Sequence, residues 1–173
     1  RCLPGRALDE RWPLMPTGNP YTDTKIAGEH TVLAAHAACK AAGIDAIIAE
    51  NIQRNVWMKF GMLAPFSGLT ALTGSTAGPL RETPGTRALI ESAVREVIAV
   101  GKAAGVGLKD DDFTQLMKAI DGNPPAMTSS MAHDRKAGKP LEVNYLSGAV
   151  VRIGEKHGVA APTARRRGEH VAS

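Results

Sequence analysis

Two short segments concentrate the side chains of this sequence that could do chemistry. The first is Asn55-Val56-Trp57-Met58-Lys59-Phe60, followed by Gly68-Leu69-Thr70-Ala71-Leu72. The second is Ser129-Ser130-Met131-Ala132-His133-Asp134, followed by Glu142 and then Gly148. A lysine ammonium can donate a proton, and it can also hold negative charge that grows on an oxygen in a transition state. Partial desolvation lowers a lysine pKa from about 10.4 and makes it a better acid near neutrality. Serine hydroxyls such as those of Ser67 and Ser130 can donate to or accept from a polar ligand, and a carboxylate such as Glu142 accepts. Each also has a plain structural reading. Lys59 would serve as a surface lysine on a helix, Ser130 as a helix N-cap before Met-Ala-His, and Glu142 as a carboxylate at a helix start.

Other constellations fail on physical grounds. Gly105-Val106-Gly107 lacks a third glycine, follows a helical pattern rather than a strand, and precedes three aspartates whose charge opposes a phosphate. It reads as a turn between helices. No Walker loop is present. His30 and His36 are six residues apart and do not share a helix face for a metal. Asp110, Asp111 and Asp112 suit the positive pole of a helix start better than a cation site. Cys2 and Cys39 match neither metal nor redox spacing, so free thiols and a reducing, cytoplasmic setting are expected.

Composition narrows the function classes. The 173 residues are 43% hydrophobic and 22% charged, which is ordinary for one globular domain. The formal charge of +4 owes much to Arg165, Arg166 and Arg167, a tail feature rather than a basic face. Aromatics are 4% and none interleaves with that run, which argues against nucleic-acid binding. No stretch approaches the roughly 18 apolar residues of a membrane span, and no signal-peptide hydrophobic region opens the chain.

The elements that must position these residues are mostly helices. Residues 1–20 hold Pro4, Pro13, Pro16 and Pro20 with Gly5 and Gly18, so they read as loose. Residues 21–42 are rich in helix formers and stop at Gly43, and the β-branched run 44–48 reads as a short strand. A helix over 51–63 carries Ile52, Val56 and Phe60 on one side, with Pro65 and Gly68 expected to kink or interrupt it. Over 86–104, Leu89, Ile90, Ala93, Val94, Val97 and Ile98 recur at helical steps. Gly105 and Gly107 end that helix. The three aspartates open another with Phe113, Leu116, Met117 and Ile120 on its apolar face, closed by Gly122, Pro124 and Pro125. A last helix is predicted over 142–157, with Leu146, Ala149, Val150 and Ile153 inward and Gly158 as its cap.

Taken in order, the two segments resemble ketopantoate reductases (2-dehydropantoate 2-reductases). That family has a Trp-x-Lys helix followed by a Thr-Ala-Leu turn, and much later Ser-Ser-Met-x-x-Asp with a glutamate twelve residues after the second serine. Ser130 to Glu142 is twelve here, Lys59 to Leu72 is thirteen, and Gly158-Val159-Ala160-Ala161-Pro162-Thr163 is similar to the family's closing segment. The resemblance covers residues 37–164. It implies hydride transfer from NADPH to the keto carbon of ketopantoate, giving pantoate for pantothenate biosynthesis. By position it makes Lys59 the catalytic proton donor, Ser130 a substrate-binding serine and Glu142 a cofactor contact. It also implies a mainly α fold of the 6-phosphogluconate dehydrogenase-like C-terminal type, preceded by a short α/β remnant of a Rossmann domain. The expected division is 1–30 irregular, 31–49 remnant of the nucleotide-binding domain, 50–164 helical domain and 165–173 basic tail.

The sequence departs from the family at the substrate and at the cofactor. Many members place asparagines four and eight residues after the lysine, where this chain has Leu63 and Ser67. Ser67 can still bind a hydroxyl or carboxylate, while Leu63 cannot donate, so a related 2-keto acid or a more apolar ketone stands beside ketopantoate. The 173 residues contain no glycine-rich cofactor loop and begin with Arg1 rather than Met, as a truncated or misread gene would produce. The chain alone is therefore expected to be inactive as a reductase, with NADPH held mainly by a domain it does not carry. Its expected partner is a small keto acid, not a nucleic acid or membrane, with a homodimer contact left open. A non-catalytic helical self-association domain and a different hydroxy-acid or opine dehydrogenase are the competing readings.

Overall fold

The computed structural model describes the backbone of residues 20–172 and the side chains of residues 30–171. The expectation of a loose segment over residues 1–20 lies almost wholly outside them. The chain divides into two compact units, residues 1–50 and 51–173.

In the first unit, helix α1 spans Pro20–Ala41, beginning on a proline whose fixed φ and missing donor suit a first helical position. Helix thus starts inside the stretch expected to be irregular to residue 30. Gly43 ends it at φ 74°, with its N–H donating to the Lys40 carbonyl and that of Ile44 to Cys39. The crossed pair of bonds is the left-handed helix stop that a residue without Cβ adopts at no steric cost. Residues 44–48 are not the expected strand. A strand needs a partner ladder, and no strand occurs among the described residues. The segment instead returns along its own helix, where the His36 ring nitrogen Nε2 lies 3.0 Å from the Ala46 carbonyl, and Ile47 stays 83% exposed.

The second unit is built around helix α2, Ile52–Thr73. Asn51 caps its start by accepting the Arg54 N–H at 2.9 Å, and Gly74 at φ 67° closes its end. The expected break at Pro65 does not occur. A mid-helix proline costs about 3 kcal/mol through its missing donor and ring clash. Against that, every residue from 64 to 71 is buried, so packing on several neighbours outweighs the local penalty. Thr70-Ala71-Leu72 is accordingly helical rather than a turn.

Around α2 lie α3 (Ala77–Glu82), α4 (Pro84–Ala103), α5 (Asp112–Asp121), α6 (Ser130–Lys136), a 3-10 turn (Glu142–Asn144), α7 (Ser147–Lys156) and α8 (Pro162–Ala172). One apolar cluster joins Phe66 and Leu69 of α2 to Leu80, Ile90, Val94, Ile98, Leu116, Met117 and Ile120. The predicted faces of α4 and α5 are thus the buried ones, except that Leu89 is 44% exposed. A second cluster joins Ala64 to Val97, Val100, Val150 and Ala164, with Trp57 and Phe60 against it. A third joins Ala71, Met131, Val143 and Val171.

Two further expectations change. The single helix over 142–157 is split, because Leu146 leaves helical backbone (φ −102°, ψ −87°) to pack against both the second and third clusters. The basic run, read as a tail, is helical: residues 165–172 continue α8, which buries Arg167 and Val171. No helix among the described residues is long and apolar enough to cross a membrane, and no cluster of metal-ligating side chains occurs among them.

Candidate active site

Lys59 lies in the N-terminal half of α2, exposed. Its turn is set by Trp57, which meets Phe60 edge-on at 5.5 Å between ring centroids and packs onto α4 at Gly101. A Cβ at Gly101 would lie 2.9 Å from the Trp57 ring, so glycine there is what lets the indole seat. With Trp57 facing the core, Lys59 faces outward, and its ammonium makes no ion pair or hydrogen bond with a described residue. Lys59 is thus exposed at this turn of α2.

Leu63 and Ser67 follow Lys59 at four-residue steps, so the three lie along one side of the helix. Exposure falls along this stripe. Leu63 is 38% exposed, whereas Ser67 is 2% exposed among packed helices. Next to Ser67, a Cβ added at Gly68 would stand 3.4 Å from Ser147 Oγ and 3.5 Å from Arg167 Nη1, at ordinary contact distance, so both side chains pack directly on this turn of α2.

Ser130 is the first residue of α6 and is exposed. It is not the N-cap. Ser129 takes that place, in extended backbone, and its Oγ accepts the Ala132 N–H at 3.1 Å. The cap must precede the first helical residue, and the sequence offered two adjacent serines for it. Ser129 Oγ also lies 2.7 Å from Thr70 Oγ1, both of them buried. Arg135 donates to the carbonyls of Ala71 and Leu72 at 2.6 and 3.0 Å, tying the other end of α6 to the end of α2. Ser130 is thus held beside the segment of α2 that carries Ser67.

Glu142 opens the 3-10 turn, exposed, and its carboxylate makes no ion pair with a described residue. Its backbone is anchored by the next residue, Val143, in the third apolar cluster. That cluster draws on three segments: Ala71 follows Thr70, Met131 follows Ser130 and Val143 follows Glu142, so the backbone beside Thr70, Ser130 and Glu142 is anchored in one apolar cluster near the end of α2. Lys59 stands apart from them, about 12 Å along the axis from Ser67 at helical rise.

The match to the family described as "Ketopantoate reductase PanE/ApbA C terminal" covers residues 51–169. The chain belongs to the ketopantoate reductase family. As a curated relative, the 2-dehydropantoate 2-reductase of Caulobacter vibrioides is 32% identical over 164 residues, covering 94% of this chain and 52% of its own length. The likeness thus extends beyond residues 37–164, and the family match itself runs into the basic segment. A PanE/ApbA family ketopantoate reductase from Ralstonia eutropha has the same fold (TM-score 0.73, 28% identity, 81% of this chain and 47% of that one). So does a ketopantoate reductase from Staphylococcus aureus described as dimeric (TM-score 0.69, 25% identity, 75% and 45%). The chain spans about half the length of the curated relatives it matches.

Thr70 and Ser129 escaped the candidate list, although both stand inside the two segments that carried the resemblance. Their pairing across 59 residues has no signature in local spacing.

Proposed function

We propose that this ketopantoate reductase-type domain is the substrate-binding and proton-donating half of an NADPH-dependent 2-keto acid reductase. The observation that supports the reading is the anchoring of the chain at Ser130 and Glu142, through Met131 and Val143, in the apolar cluster that holds Ala71 of α2, with Lys59 exposed on the same helix. NADPH, when bound, supplies the hydride. Of the residues here, Glu142 fits a cofactor contact, since its carboxylate is exposed and uncommitted and accepts from a hydroxyl or amide. The glycine-rich loop that would cradle a pyrophosphate is not among the 173 residues. The bulk of cofactor binding is therefore assigned to a nucleotide-binding domain outside them.

Lys59 holds a proton at Nζ for the keto oxygen and stabilises the negative charge that grows there. Closure of such a domain over the exposed side of α2 would desolvate that ammonium. Ser130, with Ser67, orients the keto acid by hydrogen bonds. Leu63 directs the choice of substrate. Standing exposed where an amide is common in the family, it favours a keto acid with a more apolar body than ketopantoate.

The test joins this chain to a family nucleotide-binding domain and follows absorbance of the reduced nicotinamide with ketopantoate and with bulkier 2-keto acids. The joined protein is expected to oxidise NADPH and the 173-residue chain alone to be silent. Lys59→Ala in the joined protein should cost at least about 100-fold in kcat, the scale of a lost general acid. Full turnover by that variant would remove Lys59 from its role. No turnover with any keto acid would leave the helical self-association reading instead.

A further inference from the structure

We infer that Thr70 and Ser129 form a positioning pair that sets where the Ser130 hydroxyl stands against α2. The inference rests on the reading of Ser130 as a substrate-binding residue. Thr70 is 0% exposed and Ser129 is 7% exposed, and their hydroxyl oxygens are 2.7 Å apart. Thr70 Oγ1 also lies 2.9 Å from the Phe66 carbonyl and 3.2 Å from that of Ser67, while Ser129 Oγ receives the Ala132 N–H.

These partners fix the direction of the bonds. Were Thr70 to donate to Ser129, the Ser129 proton would be buried without an acceptor, a cost that folded proteins rarely bear. The arrangement that satisfies both hydroxyls runs one way. The Ala132 N–H donates to Ser129, Ser129 donates to Thr70, and Thr70 donates to the carbonyl of Phe66. The chain joins the first turn of α6 to the buried stretch of α2 that contains Ser67.

A helix of seven residues has little stability of its own, so contacts with α2 decide where α6 stands. Met131 burial and the Arg135 bonds hold its body and its far end. The hydroxyl pair holds the end that carries Ser130. Valine would fill the volume of Thr70 equally well, and the helix has no need of its hydroxyl. The hydroxyl is explained by what it holds on α6.

The test uses the joined protein of the preceding section with Thr70→Val and Thr70→Ser. Thr70→Val is expected to raise KM for the keto acid about tenfold, with kcat within about threefold and KM for NADPH unchanged, as loosened substrate placement predicts. Thr70→Ser, which keeps the hydroxyl, should return KM to within about twofold of the parent. In the 173-residue chain, the Ala132 and His133 amides should exchange faster in Thr70→Val while the helix signal by circular dichroism is kept. Parental KM in Thr70→Val, or failure of Thr70→Ser to restore it, would overturn the pair's role and leave the reductase reading intact. A parent protein that oxidises no NADPH with any keto acid would overturn both, and would do so before any variant is measured.

Discussion

Arg167 is the residue whose environment fits its chemistry least well. It is 3% exposed, and among the described residues Nη1 reaches only the Ala64 carbonyl at 3.4 Å while Nε and Nη2 have no partner. Burial lowers its pKa from the ordinary arginine value to about 10, a shift that the charge of Glu96 only partly opposes. Both Glu96 oxygens are already committed to the Thr163 and Ala164 N–H groups at the start of α8. At neutral pH the guanidinium is charged, and Glu96 offsets the penalty of its burial only in part. Because its folded value lies below the unfolded one, the unfolded chain binds more protons once the pH rises past about 10. The cost is therefore fully present below about pH 10, and stability rises with pH across that window. Arg167→Met keeps much of the stem and removes the charge. It should raise the melting temperature at pH 7, by an amount equivalent to about 1–3 kcal/mol, in line with apolar replacement of buried ions. The advantage should narrow when the melt is repeated above pH 10. A lower melting temperature at pH 7 would show that the guanidinium has a stabilising partner. Asp112 is the contrast: equally buried at 1% exposure, it pairs with Arg54 and accepts the Lys109 N–H at 2.8 Å, joining the starts of α2 and α5.

Between elements, close approach decides which positions tolerate a methyl group. At Gly154, in α7, an added Cβ would stand 2.5 Å from the Val159 carbonyl oxygen and 3.2 Å from Val100. The obstacle is backbone, pinned by the Val159 N–H bond to the Gly154 carbonyl at 2.8 Å. At Gly61, in α2, the nearest atom is Leu116 Cδ1 at 2.9 Å, the tip of a side chain that can rotate. Gly154→Ala should thus destabilise by about 2 kcal/mol or more. Gly61→Ala should be close to neutral, since the strain is offset by the roughly 1 kcal/mol that alanine gains over glycine within a helix. Denaturant melts of the two variants check the order, and equal losses would sink the distinction between backbone and side-chain obstacles. The same scale explains why α2 runs unbroken past Pro65. Proline propensity is local, whereas burial of residues 64–71 draws on partners from many parts of the chain.

At the scale of the molecule, the three apolar clusters among the described residues are all drawn from residues 51–173. A chain of those residues alone is expected to fold cooperatively, giving a single helical melt by circular dichroism. A broad, non-cooperative melt would mean that the first 50 residues complete a core. Much of this molecule was legible beforehand. The periodic apolar faces of α4 and α5 and the glycine stops at Gly43, Gly105 and Gly158 follow from side-chain chemistry and 3.6-residue periodicity, which act within one or two turns, while the two motif segments and their spacing were legible through resemblance to the family. The tertiary structure decided the rest. It carried α2 through Pro65, left residues 44–48 without a ladder, split the helix at Leu146, buried Arg167, and chose Ser129 rather than Ser130 as the cap by pairing it with Thr70. Each of these depends on a partner tens of residues away or on the absence of one, and a sequence window contains neither.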